Sequence, residues 1–204
     1  PNFNQNSENI LYTFYGVFSL TAHGSRDFGM LSINVRDRTN RLVLDNASNG
    51  YWSNTGRYIV YNNIEPPLTI SVYDTVTGTK HFIAKDETNA RVVSCFTPDD
   101  RYIITSLGVV GGEQKLFRIN IESGKPEQLT FQPGNHGFPN CSSDGNWIVY
   151  TDLYNHRTCV YNVLTKKSSR LFPDEEECTE AASFSPDGKQ ICYLREVDAA
   201  RNEW

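Results

Sequence analysis

"FSPDGKQICY" occupies residues 184–193, and its pattern predicts a strand, a tight Pro-Asp-Gly turn and a second strand. Three earlier segments align with it without gaps: WSNTGRYIVY from Trp52, FTPDDRYIIT from Phe96 and CSSDGNWIVY from Cys141. The copies start at 52, 96, 141 and 184, so they are 44, 45 and 43 residues apart. A more divergent copy, FNQNSENILY, starts at Phe3. A period of this length indicates a repeat architecture.

The middle of each copy carries residues that tolerate the left-handed backbone of a tight turn. In the divergent first copy the corresponding residue is Ser7, which fits less well. The residues predicted to form the turns are Gly56, Asp100, Asp144, Gly145, Asp187 and Gly188. Their predicted role is structural, because a tight turn by itself requires these residue types.

A second hairpin pattern lies between the copies: LSINVRDRTNRLVL, ISVYDTVTGTKHFIA, LFRINIESGKPEQLT and CVYNVLTKKSSRLF. One repeat therefore contains four strands, here named a, b, c and d in chain order. No segment shows a sustained helical period. Four antiparallel strands in each repeat of 43 to 45 residues are typical of a β-propeller blade. We therefore predict an all-β fold, a β-propeller of four-stranded antiparallel blades, with residues 1–204 forming a single domain.

The b strands RYIVY, RYIIT and WIVY are apolar at both alternating sets of positions. This pattern predicts that both faces of each sheet are covered, as they are in stacked blades. Five a–b hairpins but only four c–d hairpins give about 4.5 blades. We expect further blades or a partner chain to complete the ring, since an open ring exposes sheet edges.

The S-P-D-G turn, with an aromatic residue before it and I-x-Y after it, resembles the TolB-like β-propeller repeat family. The copy at Phe184 resembles it well, and GFPNCSSDGNWIVYTD from Gly137 does so with Cys141 and Ser143 in place of the aromatic residue and Pro. The resemblance implies a ring of six to eight blades, WD-like in general form without the Trp-Asp ending. Similar blades occur in periplasmic TolB, in propellers attached to serine peptidases and in oligogalacturonate lyases.

Composition excludes several classes of function. The net charge is −5 and no long basic run occurs, which argues against nucleic-acid binding. No apolar stretch has membrane-spanning length, so no membrane insertion is expected. The first residues, PNFNQNSENI, do not form a signal peptide, and the compartment stays open, although the resemblance implies a bacterial periplasm or envelope. Five cysteines do not make a disulfide framework; Cys95, Cys159 and Cys192 lie in strand-like runs, as small apolar side chains do.

Propeller geometry places strand a nearest the axis and separates the connections onto two faces. The d-to-a and b-to-c loops form what we call the loop-rich face, and the a-to-b and c-to-d turns form the tight-turn face. Function usually lies on the longer, more varied loops. The candidate binding residues on the loop-rich face are Asn135 and His136 in QPGNHGFP, Tyr154 and His156 in TDLYNHRT, and Glu175, Glu176 and Glu177 in PDEEECTE. The acidic residues would attract a basic peptide or a cation.

No nucleophile elbow, P-loop or metal-ligand spacing occurs, so no catalytic residue, cofactor or metal is predicted. The first hypothesis is a non-catalytic module that binds a protein or peptide through the loop-rich face. The second is the accessory propeller of a hydrolase of the prolyl-oligopeptidase type. The third is a metal-dependent enzyme resembling the oligogalacturonate lyases.

Overall fold

The computed structural model describes residues 2–3, 8–16, 27–64, 68–85, 93–109, 112–173 and 179–195. These residues contain 18 β-strands and no helix. The strands form four four-stranded sheets and one two-stranded sheet, and the neighbouring strands of each sheet are antiparallel. The predicted all-β architecture of four-stranded antiparallel blades is therefore confirmed.

The strands follow one another along the chain, and each sheet uses consecutive strands. Sheet one contains β1 (Asn2–Phe3), β2 (Asn9–Gly16), β3 (Asp27–Asn34) and β4 (Asn40–Asp45). Sheet two contains β5 (Ala47–Trp52), β6 (Tyr58–Asn63), β7 (Thr69–Asp74) and β8 (Lys80–Lys85). Sheet three contains β9 (Ser94–Phe96), β10 (Tyr102–Gly108), β11 (Gln114–Asn120) and β12 (Pro126–Gln128). Sheet four contains β13 (His136–Cys141), β14 (Trp147–Asp152), β15 (Arg157–Asn162) and β16 (Lys167–Arg170), and sheet five contains β17 (Thr179–Phe184) and β18 (Ile191–Arg195).

In blades two to five the a–b turn is closed by the hydroxyl of the second residue of the repeat. In blade four the hydroxyl of Ser142 donates to Asp144 and accepts from the backbone N–H of Trp147, 3.0 Å away. Thr97 and Ser185 make the corresponding pairs of bonds in blades three and five. Two of the six predicted turn residues, Asp144 and Asp187, accept these hydroxyl bonds. The other four have positive φ angles: Gly56 (73°), Asp100 (55°), Gly145 (72°) and Gly188 (70°). This conformation explains why glycine is repeated there.

The c–d turns use a different device, an Asx turn at the last residue of strand c. The side-chain oxygens of Asn34, Asp74 and Asn120 accept backbone N–H groups two and three residues further on. Asp74 also accepts two bonds from the guanidinium of Arg57, at 2.8 and 3.1 Å, which joins the c–d turn of blade two to its a–b turn.

The apolar core is divided into clusters that lie between successive blades. Alternate residues of β10 belong to different clusters: Ile103 packs against blade two and Ile104 packs against blade four. In β6, Val60 faces blade three while Ile59 and Tyr61 face blade one. Both isoleucines of β10 are fully buried. The prediction that both faces of a blade are covered is confirmed, and the stacked blades hold one another in place by apolar burial.

The a strands of neighbouring blades contact one another, because β5 touches β9 and β9 touches β13, which in turn touches β17. This arrangement puts the a strands on the inside of the curve that the blades follow. The last described sheet differs from the others, since β18 pairs only with β17 within the described residues. On β18 the side chain of Leu194 is 67% exposed.

Candidate functional site

The candidate residues Asn135, His136, Tyr154 and His156 lie where blade three meets blade four on the loop-rich face. The d-to-a connection there, residues 129–135, contacts the b-to-c loop of blade four, residues 153–156. The backbone N–H of Leu153 donates to the carbonyl oxygen of Asn135 at 2.6 Å. The side-chain oxygen of Asn135 accepts the backbone N–H of Gln114, 2.9 Å away. Asn135 thus joins three segments that the sequence does not place together.

A buried lysine holds the d-to-a connection between blades three and four in place. Lys115 is 3% exposed, and its ammonium donates to the carbonyl oxygens of Gln132 and Gly134 and to the carboxylate of Glu113. The bond to Gly134 is 2.8 Å long, and the ion pair with Glu113 is 2.7 Å. Glu113 also accepts the backbone N–H of Gly134. These bonds lower the pKa of Glu113, the ion-paired hydrogen bond from Lys115 being the main cause.

His136 is the first residue of β13, whereas the sequence placed it in a loop. Its side chain is 2% exposed, because the ring packs edge-on against Tyr150 at 5.1 Å between centroids. The ring Nδ1 shares a 2.7 Å hydrogen bond with the hydroxyl of Thr130. Burial, followed by the charge of Lys115, lowers the pKa of His136. The imidazole of His136 is therefore neutral and buried between blades three and four, and it is not an exposed contact residue.

Tyr154 and His156 lie on the adjoining b-to-c loop, whose shape is set by Asp152. One carboxylate oxygen of Asp152 accepts the backbone N–H of Tyr154 and the other accepts the side-chain amide of Asn155. His156 has a φ of 52°, and its carbonyl accepts the backbone N–H of Thr179, the first residue of blade five. The ring of Tyr154 is 76% exposed on this fixed loop.

The acidic candidates Glu175, Glu176 and Glu177 lie outside the described residues. In the part of the chain that the structure describes, no group of three or more His, Cys, Asp or Glu side chains could hold a metal ion. The same described residues contain no helix long and apolar enough to cross a membrane.

A feature that sequence reasoning missed is a bulge repeated in strand a. The register shifts between Ser48 and Tyr51, between Gly137 and Asn140, and between Glu180 and Ser183. The bulged residues with positive φ are Asn49 (50°), Phe138 (51°) and Ala181 (50°). Each lies three residues before a repeat start, so the repeat alignment could have located them. Bulges redirect side chains and occur next to functional sites, and here Phe138 is 41% exposed on an inner strand.

A cavity lies on the opposite, tight-turn face, also between blades three and four. Its volume is about 240 Å³. Polar groups at its walls include Asp99, Asp144 and Arg118, and Cys141 contributes to its lining. A second cavity of about 390 Å³ lies between the turns of blades two and three. Sequence reasoning had placed binding features only on the loop-rich face.

No protein-family model matches the chain. Among solved structures it is similar to TolB from Acinetobacter baumannii, with 17% identity and a TM-score of 0.72. That alignment covers 94% of this chain and 47% of TolB, so the chain spans about half the length of that protein. The chain has a β-propeller fold. At this identity the likeness concerns the fold alone, and TolB-like describes the propeller architecture.

Two further structures share the propeller fold and belong to other functional classes. One is oligogalacturonate lyase from Vibrio parahaemolyticus, with 17% identity, a TM-score of 0.71 and coverage of 98% of this chain and 58% of that one. The other comes from a study of two prolyl endopeptidases, with 12% identity, a TM-score of 0.61 and coverage of 79% and 28%. One scaffold therefore serves several activities, and the site has to be argued from its own residues.

Proposed function

We propose that this propeller is a non-catalytic module that binds a protein or peptide partner through its loop-rich face. The observation that carries the proposal is the exposed ring of Tyr154 on a loop that is hydrogen-bonded in place. Interface hot spots are enriched in tyrosine, and a fixed anchor loses less conformational entropy on binding than a mobile one. The structural likeness to TolB supports a protein as the class of partner. It does not identify a particular partner protein.

The binding surface that we propose has a rigid part and an electrostatic part. Tyr154 and His156 form the contact, while Asn135 and His136 hold the segment beneath them. Glu175 to Glu177, which the sequence predicts to lie in the next d-to-a loop, would supply negative charge. An aromatic anchor beside acidic groups suits a basic or amphipathic peptide, and the charges would mainly raise the association rate. Binding should therefore weaken as salt is added.

The experiment begins with a photo-crosslinking residue at position 154, used in the source organism to identify the partner by mass spectrometry. Affinity is then measured by calorimetry with the purified partner. Tyr154→Ala should weaken binding by about tenfold or more. A matched control is Trp147→Ala, since Trp147 is 40% exposed and lies next to the tight turn of the same blade.

Charge is tested in the same assay. Replacing Glu175, Glu176 and Glu177 by lysine should slow association and remove much of the salt dependence. Lys189→Glu, on the tight-turn face, should leave both unchanged. If Trp147→Ala or Lys189→Glu weakens binding while Tyr154→Ala does not, the partner binds the other face and the proposal is wrong.

A second candidate function is the accessory propeller of a hydrolase, and the fold likeness to a prolyl endopeptidase favours it. In that case the complete reading frame would encode a hydrolase domain beside the propeller. A third candidate is a metal-dependent lyase. Metal analysis of the purified protein, together with eliminative cleavage of oligogalacturonate, would support that candidate, and the absence of both would remove it.

We also propose that further strands complete the sheet of β17 and β18. Within the described residues β18 offers an unpaired edge, and Leu194 on it is 67% exposed. Unpaired edges favour strand addition. The strands would come from other parts of the protein or from a partner chain. Hydrogen exchange on the full-length protein should show protected amides along the outer edge of β18, and fast exchange there would count against the proposal.

A further inference from the structure

The sulfur atoms of Cys95 and Cys141 are 3.5 Å apart across the junction of blades three and four. Both are free thiols on neighbouring inner strands, Cys95 on β9 and Cys141 at the end of β13. A disulfide needs a sulfur–sulfur distance of about 2.05 Å, so a small approach of the two strands would close the bond. The separation along the chain is 46 residues, and only the stacking of the blades brings the pair together.

The pair is also accessible to a small reagent. Cys141 contributes to the lining of the 240 Å³ cavity on the tight-turn face, beside Pro98, Asp99 and Gly145. A cavity of this size admits molecules as small as water or a peroxide. The hydrogen bond with Cys95 raises the pKa of the Cys141 thiol, and burial and the charge of Asp99 act in the same direction. These influences disfavour the thiolate form of Cys141, so oxidation of the pair requires an added oxidant such as a peroxide.

We propose that Cys95 and Cys141 are a redox modification site, which a peroxide oxidises to a disulfide that joins blade three to blade four. The sulfur of Cys141 attacks one peroxide oxygen, the O–O bond breaks, and the departing hydroxide takes up the thiol proton as water. The resulting sulfenic acid is attacked by the sulfur of Cys95. The S–S bond forms, the S–O bond breaks, and the second oxygen leaves as water with the proton of Cys95. Two thiols lose two electrons in total, and one peroxide is reduced to two waters.

The experiment uses hydrogen peroxide on the full-length protein, followed by alkylation of free thiols and peptide mapping. The expected product is one cross-linked peptide that contains Cys95 and Cys141, with the loss of two hydrogens and reversal by dithiothreitol. Because the bond closes a long loop, the oxidised protein should melt on the order of 5 °C higher than the reduced protein. The proposal is wrong if both thiols are still alkylated after treatment, or if cross-links join other cysteines instead.

Variants separate the cross-link from general oxidation. Cys95→Ser should leave Cys141 as a sulfenic acid that a dimedone probe traps, and the rise in melting temperature should disappear. Cys192→Ser is the matched control, since Cys192 is the exposed thiol on β18, and it should retain the full rise. If Cys95→Ser fails to fold, peptide mapping of the wild-type protein still decides the question. A rise in melting temperature that persists in folded Cys95→Ser would overturn the assignment.

Discussion

The carboxylate of Asp100 caps the turn of the preceding blade by accepting the backbone N–H of Asn54 at 2.8 Å. The same oxygen accepts the side-chain amide of Asn54, and the second oxygen accepts the N–H of Thr55 at 2.8 Å. Asp100 also adopts the left-handed conformation that glycine adopts in the other turns. One residue therefore forms its own turn and ties blade three to blade two. The corresponding Gly188 lies close to the preceding turn as well, since a Cβ added there would be 2.8 Å from the hydroxyl oxygen of Ser143.

The double role of Asp100 can be separated by two substitutions. Asp100→Ala removes three hydrogen bonds to a carboxylate and keeps the strained φ, so it should lower the free energy of unfolding by about 2–4 kcal/mol. Asp100→Gly removes the same bonds but relieves the strain, and it should cost roughly 1 kcal/mol less. Urea unfolding curves measure both. Equal losses for the two variants would mean that the φ angle carries no energetic cost.

Asp74 should make the stability of the protein depend on pH in the acidic range. The hydrogen bond from Arg57 is the main cause that lowers its pKa from 3.8 to about 2, with the N–H groups of Val76 and Thr77 acting in the same direction. A carboxylate whose pKa is lower in the folded state stabilises the fold above its unfolded pKa, and the contribution disappears as the pH falls through the folded value. Asp74→Asn should therefore melt lower than wild type at pH 7.

The two melting curves should converge as the pH falls from about 4 to about 2, because protonation removes the same interaction from the wild type. Asp45→Asn is the control, since its ion pair with Lys80 is exposed and surface pairs of this kind contribute little. A constant difference between Asp74→Asn and wild type across that pH range would contradict the assignment.

Gly134 should be intolerant of a side chain. Its φ is 123°, and an added Cβ would lie 2.9 Å from the carboxylate of Asp152, which is already bonded to the Tyr154 loop. Gly134→Ala should lower the free energy of unfolding by about 2 kcal/mol or more and displace that loop. Gly78→Ala is the comparison, because Gly78 has a φ of 73° and nothing near its Cβ position, and should cost about 1 kcal/mol. Chemical denaturation measures the free energy of unfolding of both variants. Equal losses of stability in the two variants would show that Asp152 moves freely to make room for the Cβ.

Lys115 should contribute more to the free energy of unfolding than an exposed lysine does. Lys115→Met leaves the carbonyls of Gln132 and Gly134 without their donor and the charge of Glu113 without its partner, so it should cost about 2–4 kcal/mol. Lys80→Met, which loses only the exposed pair with Asp45, should change stability by less than about 1 kcal/mol. Thermal and urea unfolding give the two values. A Lys115→Met variant as stable as Lys80→Met would show that the buried bonds contribute nothing.

Local pattern in the chain was sufficient to predict the architecture. Three local patterns predicted it: the repeat around Phe184, the glycines at its turns and the apolar residues on both sides of β10. Each pattern spans only a few residues, and backbone geometry alone relates it to a hairpin or to a sheet that is covered on both faces. The same reasoning selected Tyr154 and Asn135, because long connections of a propeller emerge on one face. It misplaced His136, since the boundary between a loop and a strand depends on what packs against it.

The tertiary structure alone decided which distant residues meet. Blade stacking brings Asp100 close to Asn54 and Cys95 close to Cys141. The tertiary structure also places the buried ammonium of Lys115 against residues 132–134. Their sequence neighbours would be the same if the blades packed at another angle. Hydrogen bonds and thiol chemistry depend on separations of a few tenths of an ångström, and such separations follow from the packing of whole sheets rather than from any short segment.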